Sequence, residues 1–219
     1  MAYGNRGNVY NGKKQFDKAI ADFTKVIELN PTDAMAYNNR GNAYYRKKQF
    51  DKAIADHNKA IEINPRFAET YNNRGLAYDE KKQFDKAISD YTKAIEINPR
   101  FAETYNNRGN SYGNKGQYDK AISDFTKAME INPKDDWAFF SRGIAYEEKG
   151  LFDQAISDFT KAIDINPKFA MAYIARGYAY FSKKEYEKAW DNVHNAQNLG
   201  YTVYPEFLRT LRQASGRQK

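Results

Sequence analysis

The sequence predicts an all-α fold, a solenoid of antiparallel helix pairs stacked in tandem, and three observations predict it. Prolines stand at Pro31, Pro65, Pro99, Pro133 and Pro167, always 34 residues apart. Glycines keep the same step at Gly7, Gly41, Gly75, Gly109, Gly143 and Gly177. Each glycine is followed three residues later by a tyrosine (Tyr10, Tyr44, Tyr78, Tyr112, Tyr146, Tyr180) and twelve later by an alanine (Ala19, Ala53, Ala87, Ala121, Ala155, Ala189). Features sharing one period of this length mark a supersecondary unit that buries its apolar face by stacking on its neighbours.

The unit that begins at Ala34 shows how each one reads. From Ala34 to about Lys47, Tyr37, Gly41 and Tyr44 recur at three- and four-residue spacing, which is one face of a helix. Lys47-Lys48-Gln49 forms a polar corner, and Phe50-Asp51 opens a second helix with an acid in its first turn, where the helix dipole favours it. Ala53, Ile54, Ala60, Ile61 and Ile63 form its apolar stripe, and Asn64-Pro65 stops it. The units are expected over residues 1–33, 34–67, 68–101, 102–135, 136–169 and 170–203. A closing helix follows over 204–215, with Pro205 at its first turn, Phe207, Leu208 and Leu211 on one face and Gly216 beyond it. Residues 216–219 are a tail.

At these residues the chain resembles the tetratricopeptide repeat (TPR). The aromatic four before each glycine is Tyr3, Tyr37, Tyr71, Tyr105, Phe139 or Tyr173. The aromatic sixteen after it is Phe23, Tyr91, Phe125 or Phe159, with departures at His57 and Val193. The family's leucine just before the glycine is replaced by Arg6, Arg40, Arg74, Arg108, Arg142 and Arg176. The likeness covers about residues 2–203 and implies a right-handed superhelix whose first helices line a concave groove. Asp22, Asp56, Asp90, Asp124 and Asp158 recur with the arginines, so Arg–Asp pairing between packed helices is expected.

Composition narrows the function classes. With 29% charged and 16% aromatic residues the chain is too polar to span a membrane and too aromatic for disorder. No apolar stretch nears the roughly 18 residues of a transmembrane helix, and no start resembles a secretory signal, so a soluble chain is expected, its compartment left open between cytoplasm and, for a trimmed fragment, periplasm. Without cysteine there is no disulfide, thiolate nucleophile or Cys-based zinc site. The two histidines, His57 and His194, stand far apart, and no phosphate loop or nucleophile elbow is present. No catalytic residue, cofactor or metal is therefore expected, and His57 reads as a core variant. The net charge of +7 gathers at the corners, at Lys13-Lys14, Lys47-Lys48, Lys81-Lys82, Lys115, Lys149 and Lys183-Lys184. That edge lacks the interleaved aromatics of a nucleic-acid site, so nucleic acid is not expected as a partner.

The resemblance places groove positions six, three and two before each glycine, and one, four and five after it. Two before stand Asn5, Asn39, Asn73 and Asn107; one after stand Asn8, Asn42 and Asn110. This series resembles the asparagine ladder of the TPR domain of O-linked GlcNAc transferases, whose amides hold the backbone of an extended peptide. An amide offers both donor and acceptor, matching a peptide unit whatever its side chain. Asparagine is also a weak helix former, so its recurrence mid-helix without visible packing return points to binding. Asn38, Asn72 and Asn106 stand three before the glycine on the same inferred face. Further along, Trp137, Phe140, Ile144, Ile174 and Tyr178 make it apolar, as an exposed anchoring patch or under the closing helix. Glu69 and Glu103 stand where the family's carboxylate clamp needs lysine, which argues against acidic ligands. The expected function is a scaffold binding an extended segment of another protein in its groove. The alternative is self-assembly into dimers or filaments through the first unit.

Overall fold

The computed structural model describes residues 2–217, and these form thirteen α-helices with no strand. The terminal Met1 and residues 218 and 219, the last of them in the expected tail, lie outside the described residues. The helices fall into two compact units, residues 1–115 and 116–219. The first holds α1 (Ala2–Gly12), α2 (Phe16–Leu29), α3 (Ala34–Arg46), α4 (Phe50–Ile63), α5 (Ala68–Glu80), α6 (Phe84–Ile97) and α7 (Ala102–Asn114). The second holds α8 (Tyr118–Ile131), α9 (Asp136–Glu148), α10 (Phe152–Ile165), α11 (Ala170–Ser182), α12 (Tyr186–Asn198) and α13 (Pro205–Ser215). The expected helix pairs and closing helix are all present.

The helix ends follow from local chemistry. At Asn64 the chain leaves the helix for an extended conformation, and its side-chain oxygen accepts the Arg66 N–H at 3.2 Å. Asn30, Asn98 and Asn166 make the same turn before Pro31, Pro99 and Pro167. The Asp33 and Asp135 side chains cap α3 and α9 on the N–H groups of Ala36 and Ala138. At the corner between helices one residue takes the left-handed conformation. It is Lys14, Lys48, Lys82 or Lys184 in four units, and Gly116 or Gly150 in two.

The two helices of a unit meet at the repeated glycine. A Cβ on Gly7 would lie 2.8 Å from the Phe23 ring, one on Gly75 2.5 Å from Tyr91, and one on Gly143 2.6 Å from Phe159. His57 plays the ring's part in the second unit, where a Cβ on Gly41 would meet it at 2.7 Å. It is fully buried and neither imidazole nitrogen has a partner, so burial pushes its pKa down to about 3.

Arginine staples surround this contact. Arg6, Arg40, Arg74 and Arg142 each grip the Asp sixteen residues on with two bonds of 2.6–2.8 Å, as the shared period leads one to expect. Arg40, Arg74, Arg142 and Arg176 also reach back to Thr24, Asn58, Thr126 and Thr160 in the preceding second helix. The staples at Arg40, Arg74 and Arg142 thus each join two consecutive repeats. A second series lies on the surface: Lys47, Lys81, Lys115, Lys149 and Lys183 pair with Asp17, Asp51, Asp85, Asp119 and Asp153 of the preceding repeat. Half of the basic edge is therefore met by carboxylates within the chain.

Helix α13 closes the second unit. Phe207 and Leu211 are buried with Trp190, Val193, Ala196 and Val203, and Leu208 packs against them. Ending the chain at Tyr204 should lower the melting temperature by several degrees or cause aggregation, since each of these side chains contributes about 1.5–3 kcal/mol by burial. Unchanged melting and solubility would make α13 an appendage. A second test concerns His57. Its folded pKa lies below its unfolded value, so the unfolded chain binds the extra proton and stability falls as pH drops below about 6.5. Denaturant titration should show His57→Phe stabilised at pH 7, and should show it losing about 1 kcal/mol less than the parent between pH 7 and 5.5. Equal pH dependence would contradict a buried neutral imidazole.

Candidate functional site

The asparagines of the first unit lie on α1, α3, α5 and α7. Asn5, Asn8 and Asn110 are exposed, while Asn39, Asn42, Asn73 and Asn107 are half-buried. The structure links them from one first helix to the next. The amide nitrogen of Asn107 donates to Asn72 Oδ1 at 3.0 Å, and that of Asn73 to Asn38 Oδ1 at 3.2 Å. Asn39 donates instead to Asn8 Oδ1 at 3.3 Å, because Gly4 stands where Asn38 and Asn72 supply the acceptor.

This corrects two sequence expectations. Asn38 and Asn72 are not groove residues: they are 3% and 2% exposed, and Asn72 also accepts from Thr104 Oγ1 at 3.1 Å. The asparagines at 73 and 107 do bring a structural return, because they satisfy those buried acceptors. Each spends one of its N–H groups in doing so. An amide has a second N–H and an oxygen with two lone pairs, so capacity for a ligand remains.

The acids of this unit divide in the same way. Glu69 and Glu103 are exposed on α5 and α7. Asp79 is occupied: it accepts from Tyr91 Oη at 2.7 Å and from Ser111 Oγ at 2.7 and 2.8 Å. Burial raises its pKa, and those hydrogen bonds oppose the rise. Glu80 accepts from Tyr45 Oη.

In the second unit the aromatic series is only partly open. Trp137 is 52% exposed, with its ring 5.7 Å edge-on to Phe140 and 4.8 Å from Phe169. Phe140 and Ile144 are half-buried over Phe159. Ile174, expected on the exposed face, is 6% exposed and packs with Trp190, Val193 and Phe207. It holds the same place before its glycine as Asn38 and Asn72, and that place points into the joint with the neighbouring helices. Tyr178 stacks on Phe207 of α13 with ring centres 3.8 Å apart, so the closing helix covers this end of the series. Glu147 lies beside the series, and burial, with Glu148 as neighbour, pushes its pKa up to about 7.

Among the described residues no group of His, Asp and Glu side chains forms a metal site, and no helix is long and apolar enough to cross a membrane. Two kinds of residue escaped the sequence reading. The lysine–aspartate pairs share the 34-residue period, a signal that was available. The Asn–Asn links follow from side-chain geometry that periodicity does not encode.

Comparison with known proteins agrees with this architecture. A family model for the tetratricopeptide repeat matches residues 34–67, 68–101, 102–135 and 137–169. Two related models, a TPR repeat and a further tetratricopeptide repeat, match residues 7–48 and 159–191. No curated protein matches the chain. Among solved structures, MamA is similar at 32% identity, with 75% of this chain and 96% of that chain covered and a TM-score of 0.69. YrrB, described as a TPR protein with an unusual peptide-binding site, is 28% identical over 81% of this chain and 91% of its own, with a TM-score of 0.68. PilF of Pseudomonas aeruginosa shares the fold at 20% identity and a TM-score of 0.74, over 84% of each chain.

The amide links make a stability prediction that separates equivalent asparagines. Asn73→Ala leaves the buried Asn38 oxygen without its donor and should cost about 1–3 kcal/mol. Asn39→Ala removes only a long, exposed bond and should be neutral within about 0.5 kcal/mol, helped by the better helix former. Thermal and denaturant melts of the two variants check this, and equal effects would show that the links carry no weight.

Proposed function

The chain belongs to the tetratricopeptide repeat family, and from that premise we propose that it is a protein-interaction scaffold that binds an extended peptide segment of a partner. The observation that carries this reading is the amide series at Asn39, Asn73 and Asn107, one per repeat, each bonded through one N–H with further donor and acceptor capacity left. Packed helices lie about 8–10 Å apart and an extended chain advances about 3.3 Å per residue, so one repeat corresponds to roughly three residues of ligand. An amide presented at that interval meets the backbone of an extended peptide in register. The partly buried bonds to Asn38 and Asn72 hold the amides in place before the ligand arrives, which reduces the entropy lost on binding.

Trp137 is the proposed anchor of the second unit. Its ring is half-exposed yet braced by Phe140 and Phe169, so it offers apolar area in a fixed orientation. The named peptide-binding site of YrrB, a protein of the same family, supports peptide as the class of ligand. A second reading, self-association, draws on Tyr3 and Val9, which are exposed on α1. Mass measured across a concentration series separates the two.

The test begins with peptides selected from a random displayed library against the full chain. Titration of the best binder should show Trp137→Ala weakened by about 2 kcal/mol, roughly 30-fold, with the melting temperature lowered only by the few degrees that loss of its contacts with Phe140 and Phe169 accounts for. Undiminished affinity in both Trp137→Ala and Asn39→Ala would exclude these two faces as the binding surface.

A further inference from the structure

A cavity of about 330 Å3 opens in the first repeat, where α1, α2 and α3 meet. Phe23, Val26, Met35 and Ala36 line it beside Gly4, together with Asp33, whose carboxylate caps α3 on the Ala36 N–H. The amide-bearing Asn5, Asn8 and Asn39 also line it. The cavity follows directly from Gly4. That place, three before the repeat glycine, is held elsewhere by Asn38, Asn72, Asn106, Phe140 and Ile174, and the first two and the last are buried in the corresponding joints. A Cβ on Gly4 would meet only Val26 Cγ2, at an ordinary 3.8 Å, so nothing crowds the space that the missing side chain leaves. Ala36 deepens the difference, because Thr70 and Thr104 stand at its place in the next two repeats.

The chain itself shows what fits such a joint. Phe140 occupies it in the fifth repeat, with its ring 5.8 Å from Phe159, the counterpart of Phe23, and 4.9 Å from Phe169, whose place Asp33 holds beside the cavity. We propose that the Gly4 cavity is a specificity pocket for one aromatic or large aliphatic side chain of an extended peptide whose flanking residues are basic. This rests on the reading of the chain as a peptide-binding scaffold and adds the ligand's sequence character. The asparagine amides supply a donor and an acceptor to the peptide unit on either side of the inserted residue. The charge follows from the place Met35 holds, which becomes the exposed Glu69 and Glu103 in the next two repeats. At roughly three ligand residues per repeat, a lysine or arginine three positions from the inserted side chain reaches Glu69.

The test uses the full chain and the peptide acetyl-Lys-Gly-Gly-Phe-Gly-Gly-Lys-amide, which presents the basic residue in either chain direction. NMR titration should shift the side-chain amides of Asn5, Asn8 and Asn39 and the Met35 methyl group. Peptides with Ala for Phe, or Glu for both lysines, should bind at least tenfold more weakly. Gly4→Phe, which supplies the occupant from within, should abolish the shifts. Should that variant fail to fold, Gly4→Asn, which places the residue of the next repeats there, should weaken binding at least tenfold. Shifts at Asn73 and Asn107 that Gly4→Phe leaves intact would overturn the pocket while the scaffold reading stands. No shift at any asparagine of the first unit would overturn both. Shifts that appear without peptide as the protein is concentrated, and vanish in Gly4→Phe, would assign the cavity to a second copy and likewise overturn the peptide proposal.

Discussion

The contact between the repeat glycine and the ring sixteen residues later sets the geometry on which everything else in a unit depends. At Gly75 and Gly143 an added Cβ would come within 2.5–2.6 Å of the opposing ring, closer than real atoms approach, so the first helix can lie this near the second only without a side chain there. The contact also explains why His57 is tolerated. Its imidazole has the flat shape the gap requires, and the cost lies in two buried nitrogens without partners. In the last repeat the ring is replaced by Val193, and the space over Gly177 is met by Asn192 Cβ at 3.3 Å and the Ala189 carbonyl at 3.5 Å. The constraint relaxes where the repeat no longer has to pass the pattern on and α13 takes over the packing.

From the second repeat on, the arginine beside the glycine turns this close approach into a joint between repeats. A leucine there would fill the interface but could not reach in two directions. The guanidinium fork grips the aspartate of its own second helix and donates as well to a hydroxyl or amide of the preceding one. Each aspartate is almost fully buried, so losing the arginine would strand a carboxylate in a poorly solvated place. Stability is thus assembled from neighbour-to-neighbour terms, as expected of a stacked array. The last arginine shows the limit of the scheme. Arg176 faces Asn192 in place of an aspartate, and burial lowers its pKa against the opposing influence of Tyr180, Tyr173 and Asp164, none of which it bonds as the other arginines bond their aspartates.

The fold was legible because its signals are covalently periodic: Gly, Tyr, Ala, Pro and the Arg–Asp pairs all repeat at one step, and helix ends lie at Asn-Pro. The site was legible only in part. Sequence patterning separates apolar from polar faces, yet it cannot tell a solvated asparagine from one whose amide is satisfied in a joint. Asn38 and Asn72 therefore read as groove residues and are buried instead. Ile174 was misplaced for the related reason that the same position before the glycine was read as exposed in every repeat. Tyr178 depended on α13, whose packing partner periodicity does not name.

The double use of the asparagines has a consequence for recognition. An amide already tied to its neighbour adds a preorganised but modest bond to a ligand backbone, and that bond is blind to the ligand's side chains. Residues 59–75 repeat as 93–109 without a change, so the steps at Asn73 and Asn107 are chemically the same. An extended peptide held by those two alone would bind equally well after sliding by one repeat. Register has to come from positions where the repeats differ. Within the first unit the largest such difference is the joint beside Gly4, where a filled polar contact gives way to an open cavity. The uniform steps supply a track, and the single missing side chain supplies the place at which a sequence can be read.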